Sequence, residues 1–506
     1  MATEIRETER KYEFGPGAAL PSLHDLPSVS RESDMAEQTL EAEYYDTADL
    51  RLVRSGVTLR RRRGGSDPGW HLKLPLNGDA RREIQLPLGR AGRRVPAELA
   101  GLVRAYARGG ALQPVALITT KRRGRVLLDH AGNSLAEVVE DDVSARTMGE
   151  STTLTHWREA EIELTGGDEG LLEAADKRFR RAGLRPAGHP AKLARALADQ
   201  LPAPDREQRL TSAASAGDVM LAYARLQAAA LQALDPMIRR GEPGSVHDMR
   251  VATRRLRSIL KSAGKNLDMP AASGLRAELK WLGGVLGEVR DNEVLAPYLQ
   301  ARLAEIAADQ LMGPVQARVS AYFAPRAASA REALREALDA GRYIALLNDL
   351  DQSLRGPLPA GKARRPTADV WPAAVKRTSR RVRRRARRAG RAPAGHARET
   401  AMHETRKAAK DARYTAEAAS LVGRKTDRRV VRCMTKIQST LGDHHDAVVA
   451  RDTARDIGVR AHLAGENAFS FGLLYERCQR DAVVLAEQAR ADWARAFGPK
   501  YARWLD

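Results

Sequence analysis

Glu7, Glu9 and Lys11 alternate in the opening stretch Glu7-Thr-Glu-Arg-Lys11. On a β-strand alternate residues share a face, so two carboxylates and an ammonium would point the same way. Alone, that stretch reads as a solvated edge strand. Later segments repeat the alternation with changed charge. Arg60 and Arg62 share a face of Leu59-Arg-Arg-Arg-Arg63, and His71 and Lys73 share a face of His71-Leu-Lys-Leu-Pro75. Arg81, Glu83 and Gln85 lie opposite Ile84 and Leu86, and Lys121, Arg123 and Arg125 fall together. Glu137 and Asp141 follow, then Glu159, Glu161 and Glu163. Guanidinium and ammonium groups bind phosphate oxygens, and carboxylates hold a hard divalent cation. A triphosphate with its metal needs both sets.

Two arrangements position such side chains. An antiparallel sheet can leave its charged face in water. An antiparallel barrel can instead turn the charged faces inward around an anionic ligand. The mixture of Arg/Lys-rich and Glu-rich strands favours the barrel.

The second half of the chain has a different period. His247, Arg250, Arg254 and Arg257 stand at i, i+3, i+7 and i+10, one face of a helix. His403, Arg406, Lys410 and Arg413 repeat those offsets. Leu286-Gly-Glu-Val-Arg-Asp291 and Leu441-Gly-Asp-His-His-Asp446 follow the two copies, roughly 155 residues apart, which argues for duplication of a helical unit. Like charges at these offsets cost stability, and that cost points to a polyanionic partner. Neither His247 nor His403 has a metal-ligand partner at i+4, and adjacent His444 and His445 diverge on a helix, so no metal is expected there. Asp291 and Asp446 read as orienting neighbouring arginines. The densest basic run, Lys376 to Arg388, reads as a solvated helix, an arm for nonspecific nucleic-acid contact, or a polyphosphate contact.

Bulk properties agree. The chain has 506 residues and a net charge of +21, which favours polyanions over neutral ligands. Aromatics are only 5%, too few for extended base stacking. No apolar run spans a bilayer, and the charged N-terminus lacks a secretory core. Cys433 and Cys478 have no zinc-like spacing and read as thiols of a reducing cytoplasm. Residues 201–210, with two prolines, read as a linker, and Gly356 to Pro366 as a seam between repeats. Pro236, Pro270 and Pro325 read as helix punctuation.

Residues 4–200 resemble the CYTH family of triphosphate tunnel metalloenzymes. The resemblance rests on Glu7, Glu9 and Lys11, Tyr45-Asp-Thr47, Leu59-Arg-Arg-Arg62, Lys73-Leu-Pro75, Arg82-Glu83, Glu161-Ile-Glu163 and Ala191-Lys-Leu193. Residues 210–500 resemble the CHAD family, on the two histidine helices, Trp281-Leu282 and the two Leu-Gly…Asp segments. The resemblances imply an α+β multidomain chain. An antiparallel β-barrel tunnel (1–200) would precede an all-α bundle with internal duplication (211–506, repeats about 211–355 and 366–500).

They also imply site residues. Glu7, Glu9, Glu161 and Glu163 would hold Mg²⁺ or Mn²⁺. Lys11, Arg60, Arg62, Lys73, Arg81, Lys121 and Arg123 would hold triphosphate. Glu83 and Glu137 would order the metal or the attacking water, with Glu7 and Glu9 counted among the catalytic set. Arg125 is expected outside the tunnel mouth. The CHAD resemblance implies inorganic polyphosphate on His247, Arg250, Arg254, Arg257, His403, Arg406, Lys410 and Arg413. The resulting expectation is a cytoplasmic, metal-dependent triphosphatase associated with polyphosphate granules. Alternatives are a non-catalytic granule-binding module, and an adenylate cyclase or thiamine-triphosphatase-like enzyme.

Overall fold

Alternating charge builds the first half of the chain into strands. The computed structural model describes all residues except 1–2, 77–79, 90–91, 150–151, 202–209, 212, 267–271, 357–360 and 499–506. It divides into two compact units, Met1–Glu207 and Gln208–Asp506. Most of the expected linker, together with Pro270 and part of the seam, lies outside the described residues.

The first unit runs β1 (Thr3–Phe14), β2 (Arg31–Asp34), β3 (Gln38–Asp46), α1 (Arg51–Arg54), β4 (Thr58–Arg63), β5 (Gly69–Pro75), β6 (Ala80–Leu86), α2 (Ala97–Leu102), α3 (Arg104–Ala107), β7 (Gln113–Leu128), β8 (Ser134–Thr147), β9 (Leu154–Leu164), α4 (Glu169–Arg181), β10 (Leu184–Pro186) and α5 (Lys192–Ala196). Eight strands close antiparallel in the order β1-β6-β5-β4-β3-β7-β8-β9, with β9 returning to β1. Closure removes sheet edges and gives every strand an inner and an outer face.

The outer face is the apolar one. Trp70, Leu72 and Ile84 pack outward against Leu99 and Tyr106 of α2 and α3. Ala160 and Ile162 pack against Leu172 and Phe179 of α4. At one end the bore is apolar as well: Leu193 and Leu197, in and just after α5, pack on Ala42, Ile118, Val143 and Trp157 and stop it. Elsewhere the interior is left to charge. Asp46 shows what the Tyr45-Asp-Thr47 stretch does. Its carboxylate accepts the backbone N–H groups of Thr47, Leu52 and Val53 at 2.7, 2.8 and 2.9 Å, fixing the turn from β3 into β4.

The second unit comprises nine α-helices among the described residues. These are α6 (Ala216–Arg239), α7 (Ser245–Asn266), α8 (Ala272–Ala304), α9 (Val315–Asp339), α10 (Gly341–Arg355), α11 (Thr367–Arg391), α12 (His396–Ala419), α13 (Lys425–Leu463) and α14 (Phe469–Ala496). α7 packs on α8 and α12 on α13, and α7 meets α12 where the copies join. The starts of the copies also meet: Ser215 bridges Pro366, and the Thr367 hydroxyl donates to Ala214 O at 2.6 Å. Pro236 and Pro325 do not break helices as expected. They lie inside α6 and α9. Burial of Val319, Phe323, Ala330 and Leu334 along α9 outweighs the roughly 3 kcal/mol that an interior proline costs. No helix among the described residues is long and apolar enough to cross a membrane.

Candidate functional sites

The barrel encloses a cavity of about 260 Å³ lined by Glu7, Glu9, Lys11, Arg60, Arg62, Lys73, Arg81, Glu83, Glu137, Glu161 and Glu163. Eleven of the expected tunnel residues thus converge from six strands. Lys121 and Arg123 do not. Both are exposed on the outer face of β7, where Arg123 pairs with Glu37 at 3.1 Å. The residue that turns inward is Arg122, opposite Gln38 on β3 and Asp141 on β8. Both faces of β7 are polar near this point, so hydrophobic alternation gave the wrong parity. Arg125 lies outside the cavity, as expected, and pairs with Glu32 at 2.5 Å.

Charge is sorted within the cavity. On one side, Lys192 of α5 places its ammonium 2.8 Å from Asp141, 2.8 Å from Glu159 and 2.7 Å from Glu161. These three acids form a tight buried group whose oxygens lie within 4.8 Å of one another. Such a group resembles a metal site, but its centre is already held by a cation. Glu161 also takes Lys11, and Arg122 at 3.0 Å, while Arg122 forks onto Asp141 at 2.7 and 2.6 Å. Against the opposing effect of burial, these cations hold the Glu161 carboxyl well below the usual range. Glu161, expected as a metal ligand, is here paired with three cations, Lys11, Lys192 and Arg122.

On the other side three carboxylates face one another: among the described residues Glu9 has Lys11 at 3.3 Å and Arg81 at 4.0 Å, and the other two, Glu163 and Glu137, have no paired cation. Glu9 and Glu163 are direct partners across β1 and β9, and Glu137 is the partner of Glu163 on β8. Glu163 and Glu137 make no hydrogen bond or ion pair among the described residues. Burial lifts the Glu163 carboxyl to about 6. Glu7 is pushed up to about 8 by burial and by a hydrogen bond with Glu83, against the pull of Lys73 2.5 Å away. Glu83 is the anchor of this region. It accepts from His71 at 2.7 Å and lies 3.7 Å from Arg60 and 3.9 Å from Lys73. With its oxygens so engaged, Glu83 positions cations and is not free to act as a base.

The second unit holds a smaller cavity of about 210 Å³ between the two histidine helices. His247, Arg250 and Arg254 of α7 face Arg406 and Lys410 of α12 across it, with Arg290, Asp291, His445 and Asp446 completing the lining. Arg250 pairs with Asp291 at 3.0 Å. Arg254, Arg406 and Lys410 have no ion pair within 4 Å among the described residues, and the Nε atoms of both arginines are buried without a hydrogen-bond partner. Burial, then Arg406, Arg254 and Arg250, press the Lys410 ammonium down to about 6. The repeated Leu-Gly pairs explain how the arginines fit. A Cβ on Gly287 would stand 3.5 Å from the Arg250 guanidinium, and one on Gly442 would stand 3.4 Å from that of Arg406.

Three expected residues lie outside this cavity. Arg413 donates to Glu417 at 2.7 Å, which also takes Arg255 at 2.9 Å and the Tyr223 hydroxyl at 2.7 Å, so Arg413 is spent on packing. Arg257 lies one helical turn beyond Arg254 and does not line the cavity. His403 does not line the cavity; its ring meets that of His445, which does, at a tilt with ring centres 4.8 Å apart. Sequence reading missed Arg290 and His445, although they are equivalent positions of the two Leu-Gly…Asp segments, and it missed Arg122. It noted Lys192 without giving it a place in the site.

Comparison with known proteins agrees with this two-part organisation. The CYTH domain model matches residues 6–188, and the CHAD domain model matches residues 222–455. An uncharacterized protein of Mycobacterium tuberculosis, present in two strains, is 36% identical over 504 residues, 96% of this chain and 94% of its own length. PptA from Streptomyces chartreusis is 20% identical and covers 55% of this chain and 99% of its own, with a TM-score of 0.46. The crystal structure of the CHAD domain from the plant Ricinus communis is 25% identical, covers 60% of this chain and 96% of its own, and has a TM-score of 0.41. The chain belongs to the family of proteins in which a CYTH domain is followed by a CHAD domain.

Proposed function

We propose that the barrel is a metal-dependent hydrolase of inorganic triphosphate or polyphosphate ends, and that the helical unit holds polyphosphate between its histidine helices. CYTH membership implies a divalent cation, and the donor set fits one. Glu9, Glu163 and Glu137 form a row of hard oxygen donors, of which Glu163 and Glu137 have no ion pair among the described residues. Mg²⁺ or Mn²⁺ held there, with Glu7 beside it, would neutralise charge on the phosphate oxygens.

The chain's own groups supply the rest. Arg60, Arg62, Lys73 and Arg122 face the cavity from β4, β5 and β7 and grip the non-reacting phosphoryl oxygens. Glu83 holds Arg60 and Lys73 in place. Glu137, without an ion pair or hydrogen bond among the described residues, orients a water for in-line attack on the terminal phosphorus, and the phosphoanhydride bond to the leaving phosphate breaks. The stopper formed by Leu193 and Leu197 keeps bulk water from that end of the bore. The observation that carries the reading is one cavity that holds converging cations beside a carboxylate row whose Glu163 and Glu137 have no ion pair among the described residues.

An inorganic substrate fits better than a nucleotide. Tyr44 is the one aromatic lining the cavity among the described residues, and its hydroxyl lies 3.4 Å from Arg60. A purine would find no stacking platform. The test is phosphate release from tripolyphosphate with Mg²⁺ or Mn²⁺, beside ATP and thiamine triphosphate. Absence of release across metals and pH removes the enzymatic reading; faster turnover of an organic triphosphate replaces it.

A further inference from the structure

α11 carries ten Arg and Lys residues against one acid, Asp369. Its inward side is accounted for. Val382, Ala386 and Ala389 are buried, Arg385 takes Glu404 at 2.8 Å, and Arg381 lies 3.7 Å from Asp411. Its outward side is not. Arg384, Arg387, Arg388 and Arg391 are all exposed, at i, i+3, i+4 and i+7, one face of the helix. Among the described residues none of the four has an ion pair or hydrogen bond. Elsewhere in this unit exposed arginines find acids on their own helix, as Arg335 does with Glu332 and Asp339 at 2.6 and 3.1 Å. Attraction to the helix C-terminus accounts for the last turn only, and like charges at these spacings repel.

We infer that this arginine row is a second polyphosphate-binding site, separate from the cavity between the histidine helices. The separation is built by α12. Its Ala397, Thr400 and Glu404 border the arginine groove, whereas its Arg406 and Lys410 face the cavity, so the helix stands between the two. The row extends about 10 Å along the axis, a single file of guanidinium forks suited to one unbranched chain of phosphoryl groups. Its surroundings favour a polymer without bases. Ala392, Pro393, Ala397 and Ala401 flank it, with no aromatic to stack a base and no Asn or Gln to read a base edge among the described residues. The inference rests on the reading that the helical unit takes phosphate polymers, and it adds a place where a long chain is gripped and a short one is not.

The test uses the full chain, with tripolyphosphate, long-chain polyphosphate and a short DNA duplex as probes. R384Q/R387Q/R388Q/R391Q is expected to bind long-chain polyphosphate about tenfold more weakly, with a salt slope shallower by about 3. Its affinity for tripolyphosphate should be unchanged. R254Q/R406Q, in the cavity, should also weaken long-chain polyphosphate and leave tripolyphosphate to the barrel. The lysine version of the quadruple variant should restore the salt slope, which excludes misfolding as the cause. Parental binding of long-chain polyphosphate that the glutamine variant leaves untouched overturns the second site alone. Loss of duplex binding with polyphosphate binding intact makes the row a nucleic-acid surface and also overturns it. Failure of the parent to bind polyphosphate at all overturns the underlying reading.

Discussion

Glu9 of β1 and Glu163 of β9 stand directly opposite each other, and Glu137 of β8 extends the pair into a row of three. Like charges directly across a ladder destabilise it, so the row is held at a cost that a divalent cation would remove. Mn²⁺ at a hundredfold excess over its dissociation constant should stabilise the first unit by about 2.7 kcal/mol. Thermal melts with and without Mn²⁺ read this. Glu163→Gln should abolish most of the shift while raising the melting temperature of the metal-free protein. An unchanged shift would move the metal elsewhere.

Lys192 illustrates the opposite solution, a buried acid cluster satisfied by an ammonium. Lys192→Met would leave Asp141, Glu159 and Glu161 facing one another without their shared cation. A cost of about 3 kcal/mol or more is expected from a broken buried pair, read as a lower urea midpoint. The pH dependence should change as well. In the parent, Lys192 and Arg122 depress the Asp141 carboxyl, and Lys11, Lys192 and Arg122 depress that of Glu161, in both cases against burial. Their contribution is therefore present above the ordinary carboxylate range and lost as pH falls through the depressed values. In the variant each acid loses one of its cations and keeps the others, so the depression shrinks and less stability should be lost on acidification.

Arg122 faces substrate in the proposed site, and its neighbours do not. Arg122→Gln should lower kcat/KM for tripolyphosphate about a hundredfold, roughly 3 kcal/mol of lost charge-assisted contact. Lys121→Gln/Arg123→Gln should stay within about twofold. Steady-state kinetics distinguish the two, and equal losses would put the strand's parity in doubt.

That parity marks where the sequence stops being legible. Lys73 and Glu83 line the cavity as alternation predicts because buried Leu72, Leu74 and Ile84 on the opposite faces of β5 and β6 fix the direction of the charges, and Leu59 does the same for Arg60. β7 lacks that guide around Arg122, so its polar faces were exchanged. Lys192 is hidden from sequence reading for a different reason. It enters the cavity from α5, and no strand alternation announces a residue delivered by the plug. The duplicated helices were visible as a repeated spacing. Which of their cations remain unneutralised was not, because Glu417 finds Arg413 and Arg255 only in three dimensions.

Lys410 makes the cavity of the helical unit sensitive to pH. Burial and three neighbouring arginines hold its pKa at about 6, below the ordinary lysine value. A polyphosphate oxygen beside it would restore the proton, so binding at pH 8 should take up about one proton. Affinity should then fall by about tenfold per pH unit above neutrality, on top of salt effects. Calorimetry in buffers of different ionisation enthalpy reads the proton directly. Lys410→Met should bind with little proton uptake. Uptake by that variant equal to the parent's would assign the proton to another group, with His445 the next candidate.

Gly442 separates binding from stability in the same cavity. It lies buried in α13 beneath the Arg406 guanidinium, where an added Cβ would be in ordinary contact at 3.4 Å. Alanine therefore fits, and removing a mid-helix glycine should stabilise the helical unit by about 0.5–1 kcal/mol with polyphosphate affinity unchanged. A leucine side chain would have to occupy the space where the guanidinium lies. Gly442→Leu should thus displace Arg406 and weaken binding about tenfold, whatever its effect on the melting temperature. The pair of variants isolates the role of the Leu-Gly motif. If alanine weakened binding as much as leucine, the helix–helix spacing, not the seat of Arg406, would be what the glycine preserves.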